Sequence, residues 1–201
     1  MIRVLLADDQ ALVRGALSAM LSLENDIEVV VEVGSGDDVV PAAQRYKPDV
    51  ALLDVQMPGK DGLTAAAELR TALPTCRVVV CTTFGRPGYL ARAMAAGAAG
   101  FVVKDAPPEQ LVEAVRRVHN GLRVVDPALA AESLARGTSP LTDRERDVLR
   151  AASEGGTVAD LAKVLHLSEG TVRNHLSSAI GKTGARTRAE AARIAEDCGW
   201  L

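Results

Sequence analysis

The chain has 201 residues, 48% of them hydrophobic, and a formal net charge of −3. That is enough apolar material for one core of ordinary size and a second, smaller one, so two domains are expected. Aromatic residues make up only 2%, which leaves the cores to Ala, Val and Leu and disfavours single-strand nucleic-acid binding by base stacking. Cys76, Cys81 and Cys198 are too few and too scattered for a disulfide framework or a zinc site. Cys81, inside an apolar run, reads as buried and reduced. With no charged leader and no apolar run of membrane-spanning length, the expected location is cytoplasmic, without membrane insertion.

Short apolar runs come first: Val4-Leu5-Leu6-Ala7, Val50-Ala51-Leu52-Leu53, Val78-Val79-Val80-Cys81 and Phe101-Val102-Val103. Amphipathic stretches near 11–23, 37–46, 62–72, 89–96 and 109–120 separate or follow them. The alternation predicts five β/α units with right-handed crossovers, an α/β fold with a five-stranded, parallel, doubly wound, flavodoxin-like sheet. Each run ends on a polar residue: Asp8-Asp9, Asp54, Thr82 and Lys104. These converge on the carboxyl edge of the sheet, where open α/β folds bind ligands. Two carboxylates about 5 Å apart repel by roughly 3 kcal/mol at an effective dielectric of 20, so Asp8, Asp9 and Asp54 call for a counter-ion. Mg²⁺ suits the set because it accepts one or two carboxylates together with phosphate oxygens and water. Singly, Asp8 or Asp9 reads as a cap for the helix starting near Ala11 and Lys104 as a solvated surface residue. The fourfold coincidence favours a phosphoryl and metal site.

From Gly121 to Pro140 the strand signal is lost. Asp126-Pro127 reads as the cap and first residue of a short helix reaching about Arg136, and Gly137-Thr138-Ser139-Pro140 as a hinge. The expected organisation is therefore a first domain over 1–120, a linker over 121–140 and a second domain over 141–201. Residues 1–122 carry 12 basic against 15 acidic residues, whereas 141–201 carry 9 of each. Within the second segment Lys163, Arg173, Lys182, Arg186 and Arg188 form a local basic patch opposed only by Glu169.

The second domain reads as four helices. Thr142 with Glu145 and Thr187 with Glu190 have capping-box spacing, Thr157 with Asp160 is a weaker version, and Ser168 is a fourth cap. In the third helix Val172, Leu176, Ala179 and Ile180 form the core face, which turns Arg173, Asn174 and Ser177 outward. With the tight connection Leu165-His166-Leu167-Ser168 this is a helix-turn-helix arrangement. Arg173 has the geometry to pair with guanine and Asn174 with adenine, while Ser177 is permissive. Thr171, His175 and Lys182 are placed for phosphate contacts.

With these motifs in hand, residues 1 to about 120 resemble the receiver domain of two-component response regulators. The match lies in Asp8-Asp9, Asp54-Val55-Gln56-Met57-Pro58-Gly59-Lys60-Asp61-Gly62, Thr82 and Phe101-Val102-Val103-Lys104. The segment from 141 to about 195 resembles the LuxR-type helix-turn-helix of the NarL/FixJ regulators. It does so through Leu141-Thr142-Asp143-Arg144-Glu145, Leu161-Ala162, Leu167 to Leu176, and Arg186 to Ala191.

The resemblance implies that Asp54 takes phosphate from a sensor histidine kinase, with Mg²⁺ held by Asp9, Asp54 and the Gln56 main-chain carbonyl and with Asp8 acting through water. It implies that Thr82 and Lys104 bind the phosphoryl group and that Phe101 changes rotamer on activation. It also implies a homodimer through the first and last helices of the receiver, for which Leu111 and Val115 are the candidate contacts. The partners it implies are the kinase, double-stranded promoter DNA and RNA polymerase. Thr82-Thr83-Phe84-Gly85-Arg86-Pro87-Gly88-Tyr89, Gly170 to Asn174 and Gly199-Trp200 are similar to a subgroup controlling fatty-acid desaturation in membrane cold sensing. Asp105 after Lys104 departs from the proline common there, and Ala179, Gly181, Thr183 and Ala185 are smaller or poorer helix formers than usual. Gly181 weakens its helix by roughly 1 kcal/mol relative to Ala.

The expected function is a DNA-binding regulator and not an enzyme. Two alternatives stay open: an aspartyl-phosphate phosphohydrolase using Asp54 as nucleophile, and a constitutive DNA binder with an inert receiver.

Overall fold

A computed structural model describes residues 1–83, 87–127, 129–131 and 139–201. These fall into two compact units, the first ending at Ala130 and the second containing residues 139–201.

In the first unit β1 (Ile2–Ala7), β2 (Ile27–Val33), β3 (Val50–Leu53), β4 (Arg77–Thr82) and β5 (Gly100–Val103) alternate with five helices. These are α1 (Ala11–Leu21), α2 (Gly36–Tyr46), α3 (Gly62–Ala72), α4 (Pro87–Ala96) and α5 (Pro108–His119). All strand pairings are parallel, in the order β2-β1-β3-β4-β5. Helices on both faces explain why β3 is buried at all four positions and why its sequence runs apolar without alternation. Every residue of β4 after Arg77 is buried as well.

The reading of Gly121 to Pro140 as strandless is corrected. Val124–Val125 form a sixth parallel strand, β6, in which Val124 pairs with Gly100 and Val125 with Phe101. Two valines are too short a run to register as a strand in sequence, and the exposed edge of β5 supplies the missing hydrogen-bond partners. Residues 127 and 129–131 are helical. The rest of the expected linker helix and the first half of the hinge, Gly137 and Thr138, lie outside the described residues, as do Phe84, Gly85 and Arg86.

One glycine fixes the loop that carries the candidate nucleophile. A Cβ on Gly62 would lie 1.8 Å from the Asp54 carbonyl oxygen, and Gly62 donates its main-chain N–H to Val55 at 2.9 Å. The start of α3 therefore folds directly onto the end of β3. Asp61 caps that helix by accepting the Thr64 N–H at 2.7 Å.

The second unit contains α6 (Asp143–Ser153), α7 (Val158–Val164), α8 (Glu169–Thr183) and α9 (Arg188–Asp197). Its core is built from small and aliphatic residues, Leu141, Val148, Leu149, Ala152, Leu161, Val172, Leu176, Ala179, Ala191 and Ala195 among them. Thr142 and Glu145 form a complete capping box, and so do Thr157 and Asp160, the pair that looked weaker. The expected box at Thr187 is half made. Thr187 accepts the Glu190 N–H, but the Glu190 carboxylate accepts from Arg186 N instead of returning to Thr187. Ser168 caps α8 by accepting the Thr171 N–H at 3.1 Å.

Glu145 does more than cap. It is only 4% exposed and also accepts from Ser178 Oγ at 2.6 Å and from Lys182 Nζ at 2.9 and 2.7 Å. Burial raises its pKa, but the hydrogen bonds from Lys182, Ser178 and Thr142 outweigh it and carry the value from 4.5 down to about 2. A carboxyl depressed in the folded state contributes stability above its unfolded value, and that contribution is lost as pH falls through the folded value. The melting temperature of the second unit should fall more steeply between pH 4.5 and about 2 in wild type than in Glu145→Gln. Thermal melts across that range check this, and parallel slopes would contradict it.

Candidate functional site

The carboxyl edge of the sheet gathers the residues the sequence singled out. Asp8 follows β1, Asp54 follows β3, Thr82 ends β4 and Lys104 follows β5. Asp8, Asp9 and Asp54 each offer a carboxylate oxygen within 4.8 Å of the others. Asp8 and Asp54 are buried, at 1% and 5% exposure, and Asp9 is exposed to solvent. Lys104 Nζ lies 2.6 Å from Asp8 Oδ2 and 3.0 Å from Asp54 Oδ2. Thr82 is buried, and its carbonyl accepts the Lys104 main-chain N–H at 2.8 Å, which ties the two together.

The second oxygens of the two buried acids are held as well. Asp54 Oδ1 accepts the Val55 N–H at 2.8 Å, and Asp8 Oδ1 accepts the Gln10 N–H at 2.9 Å. Asp8 does not cap α1, whose N-cap is Gln10 without a side-chain cap bond: one Asp8 oxygen organises the turn before the helix and the other faces the site. Arg14, which the sequence reading did not single out, donates to the Asp8 carbonyl at 2.6 Å. Nothing in its spacing separates it from an ordinary helix-surface arginine.

Burial, the largest influence, and the neighbouring Asp8 charge raise the Asp54 pKa against the opposing pull of Lys104. Lys104 itself is raised: burial would lower it, but the Asp8 and Asp54 carboxylates prevail. Its two contacts are charge contacts without hydrogen-bond alignment, and Lys104 Nζ has no aligned hydrogen-bond partner among the described residues. Three carboxylates facing one ammonium leave a net negative site, and an unaligned buried donor sits at its centre. An oxygen-seeking divalent cation fits the first feature, and an added anionic oxygen fits the second.

Gln56 lies on the loop after β3 with its side chain exposed, which leaves its main chain as the group relevant to a metal. Phe101 is buried at 2% exposure, pairs across β6 and lines a cleft of about 550 Å³ with Val103, Ala106, Gln110 and Val125. Cys81 is buried beside the site, and burial pushes its thiol up to about 12, so it stays a protonated core residue at neutral pH.

Two expectations on the dimer are corrected. Leu111 and Val115 are 5% and 0% exposed and belong to the core under the sheet, so neither offers a surface to a partner. The α5 stripe is consumed by its own domain because the amphipathic period marks the buried face. What α1 exposes is different: Leu12 is 86% exposed, with Ala16 and Ala19 also on the surface, and Leu23, in the turn after the helix, is 82% exposed.

In the second unit α8 turns Arg173, Asn174 and Ser177 to solvent, while Thr171 and His175 are half-buried beside them. Arg173 pairs with Glu169 one turn earlier at 2.6 Å. An exposed pair of this kind contributes little and is readily exchanged for another acceptor. Lys182 has a partner that the sequence did not indicate. Both of its hydrogen bonds go to the buried Glu145 carboxylate, which compensates its charge, while 35% of the side chain stays exposed. The sequence showed Glu145 only as a capping residue, because its partner lies 37 residues away. Among the described residues, no helix is long and apolar enough to cross a membrane.

Comparison with known proteins gives the same two-part division. Residues 4–116 match the response regulator receiver domain family, and residues 139–195 match the bacterial regulatory proteins of the luxR family. The transcriptional regulatory protein DesR of Bacillus subtilis (strain 168) is 42% identical over 201 residues, covering 100% of both chains. An uncharacterised transcriptional regulatory protein of the same strain, YvfU, is also 42% identical with the same coverage. Among solved structures, the response regulator ChrA of a heme-sensing two-component system is 33% identical with a TM-score of 0.60, over 100% of this chain and 98% of that one. The chain belongs to the LuxR-type, NarL/FixJ response regulators, DNA-binding transcriptional regulators in which a parallel α/β receiver precedes a helical reader.

Proposed function

We propose that Asp54 is the phosphoacceptor of this regulator and that its modification controls promoter binding by α8. The observation that carries the reading is the buried Lys104 ammonium at 2.6 and 3.0 Å from Asp8 and Asp54, with Asp9 completing a carboxylate cluster within 4.8 Å. In the proposed transfer a carboxylate oxygen of Asp54 forms a bond to phosphorus, the bond from phosphorus to the kinase imidazole breaks, and the imidazole leaves. Its burial-raised pKa makes Asp54 the more basic nucleophile. Mg²⁺, held by Asp9, Asp54 and the Gln56 carbonyl with Asp8 behind a water, would supply positive charge against the carboxylates and the phosphoryl oxygens. Lys104 exchanges a carboxylate contact for a phosphoryl oxygen, and the Thr82 hydroxyl donates to another. Phe101, on β5 three residues before Lys104, relays the change toward the β5–α5 face.

The proposed division of labour is a phosphoacceptor domain before the 121–140 linker and a DNA reader from 141 onward, in the cytoplasm. The partners are a sensor histidine kinase, double-stranded promoter DNA and, at the promoter, RNA polymerase. A change from 1:99 to 99:1 active takes about 5.5 kcal/mol of differential stabilisation, which phosphorylation and dimer contacts supply jointly. The dimer is proposed on the exposed apolar face of α1, which replaces the α5 positions that the core occupies. Two Arg173 to Ser177 faces would then meet half-sites about one DNA turn apart. DesR and YvfU are equally identical to this chain, so DNA selection and not resemblance assigns its target genes, lipid and cold-response genes included. The relatives are named as transcriptional regulators, which supports stoichiometric phosphorylation without turnover of an external substrate.

Treatment with a small-molecule phosphodonor and Mg²⁺ should place one adduct on Asp54 by mass spectrometry, and the Asp54→Ala variant should lose both the adduct and the donor's effect on DNA binding. A folded wild type without the adduct refutes the assignment. Leu12→Asp, at an exposed position, should keep the fold and remain monomeric by light scattering after phosphorylation; wild-type dimer formation would rule out the α1 face. Arg173→Ala should relax preference at one base pair by about 1–3 kcal/mol in a binding-site selection. A uniform loss over all sequences would make Arg173 a phosphate contact instead.

A further inference from the structure

On the reading that α8 is the DNA reader, we infer that Glu145, Ser178 and Lys182 form a positioning lock that sets the rotation of α8. Lys182 then acts on recognition through Glu145 and not by touching phosphate. The first observation is the geometry. Glu145, on the first turn of α6, accepts from Ser178 Oγ at 2.6 Å and from Lys182 Nζ with both oxygens, while Oε2 also accepts the Thr142 N–H at 2.7 Å. Ser178 and Lys182 are four residues apart and so lie one above the other on a single face of α8. Two donors one turn apart on one carboxylate fix both the rotation of a helix about its axis and its position along it. Because Oε2 also closes the α6 capping box, the start of α6 and the far half of α8 share one node.

The second observation is how little else holds that half of the helix. The buried residues of α8 are Val172, Leu176 and Ala179, and beyond them the partly buried Ile180 is its last apolar core contact. A Cβ added to Gly181 would meet nothing within 4 Å. In this half one small and one partly buried side chain resist rotation weakly, since few interdigitating atoms are displaced by a small roll. A shift by one helical position turns side chains by about 100° and would carry Arg173, Asn174 and Ser177 away from the bases. The directional contacts of Glu145 supply the definition that volume does not.

The third observation concerns charge. An ammonium that spends its contacts on both oxygens of a carboxylate 4% exposed adds almost nothing to counterion release, because the pair is close to neutral. Removing Lys182 alone would leave a buried carboxylate uncompensated, which destabilises the domain whatever the role in recognition. The informative variant therefore removes both charges. In Glu145→Gln with Lys182→Met, the amide oxygen can accept the Thr142 N–H while the amide NH2 donates to the Ser178 hydroxyl, and the methionine keeps the apolar stem.

The test uses the full phosphodonor-treated chain, the duplex that wild type enriches from a random pool and a shuffled duplex of equal length. Binding is measured at several salt concentrations, beside a thermal melt. The double variant should melt cooperatively and bind the shuffled duplex with the wild-type salt slope. Its preference for the selected duplex should drop about tenfold or more, the size of a misplaced base contact. Ser178→Ala should lose preference about threefold, as expected for one hydrogen bond. Lys182→Arg, which keeps a cation for Glu145, should retain most of it.

Unchanged preference in a folded double variant overturns the lock, and so does a salt slope lowered by about one, which marks a direct phosphate contact. Should the double variant fail to fold, Ser178→Ala and Lys182→Arg decide: wild-type preference in the first, or loss in the second, overturns it. A wild type that enriches no duplex refutes the reading of α8 itself and the lock with it. A discriminating wild type beside an equally discriminating variant refutes the lock alone.

Discussion

Everything proposed for the receiver depends on one buried ammonium shared by two carboxylates. Lys104 reaches Asp8 and Asp54 from the end of β5, across the centre of the parallel sheet, at 2.6 and 3.0 Å. Removing such charges from water costs several kcal/mol per ion, and the cost is recovered only where each charge has a close partner. The arrangement at this edge leaves one negative charge more than a balanced pair even before Asp9 is counted. An incompletely compensated buried cluster is a place where one added ligand or one covalent anion changes the lowest-energy geometry. The backbone bond from Lys104 to Thr82 joins that geometry to β4, and the pairing of Phe101 with β6 joins it to the segment leading toward the second domain.

The second domain contains a charge contact of the opposite character. Glu145 is as little exposed as Asp54, yet its pKa is lowered to about 2 where that of Asp54 is raised. The difference lies in the donors. Glu145 receives hydrogen bonds from Lys182, Ser178 and Thr142, so its charge is satisfied and fixed. Asp54 has one aligned donor, Val55 N, and shares its cation with Asp8. One carboxylate is held for chemistry and the other for rigidity, and the hydrogen-bond inventory separates the two roles.

Much of the receiver was legible because its signals are local. Uninterrupted apolar runs such as Val50 to Leu53 announce strands buried on both faces, and a polar residue directly after each run must lie at the carboxyl edge. The capping pairs of the second domain were legible for the same reason, since Thr142 and Glu145 are three residues apart and need no tertiary partner. The failures share a cause as well. Amphipathic spacing identifies a buried stripe but not what buries it, so Leu111 and Val115 read equally well as core and as interface. Two valines carry no periodicity, so β6 was invisible until β5 offered its edge.

The sequence by itself determined the α/β and helix-turn-helix order, the acidic, hydroxyl and lysine residues at strand ends, and the outward face of α8, because each follows from spacing within one element. Only the tertiary structure decided which cation serves which carboxylate. Lys104 stands 50 residues after Asp54 in the chain and Lys182 stands 37 after Glu145, and both meet their partners through the packing of separate elements. A lysine in sequence is a charge without a neighbour. Burial and the donors around it determine whether that charge meets DNA, a phosphoryl group or a carboxylate of its own domain.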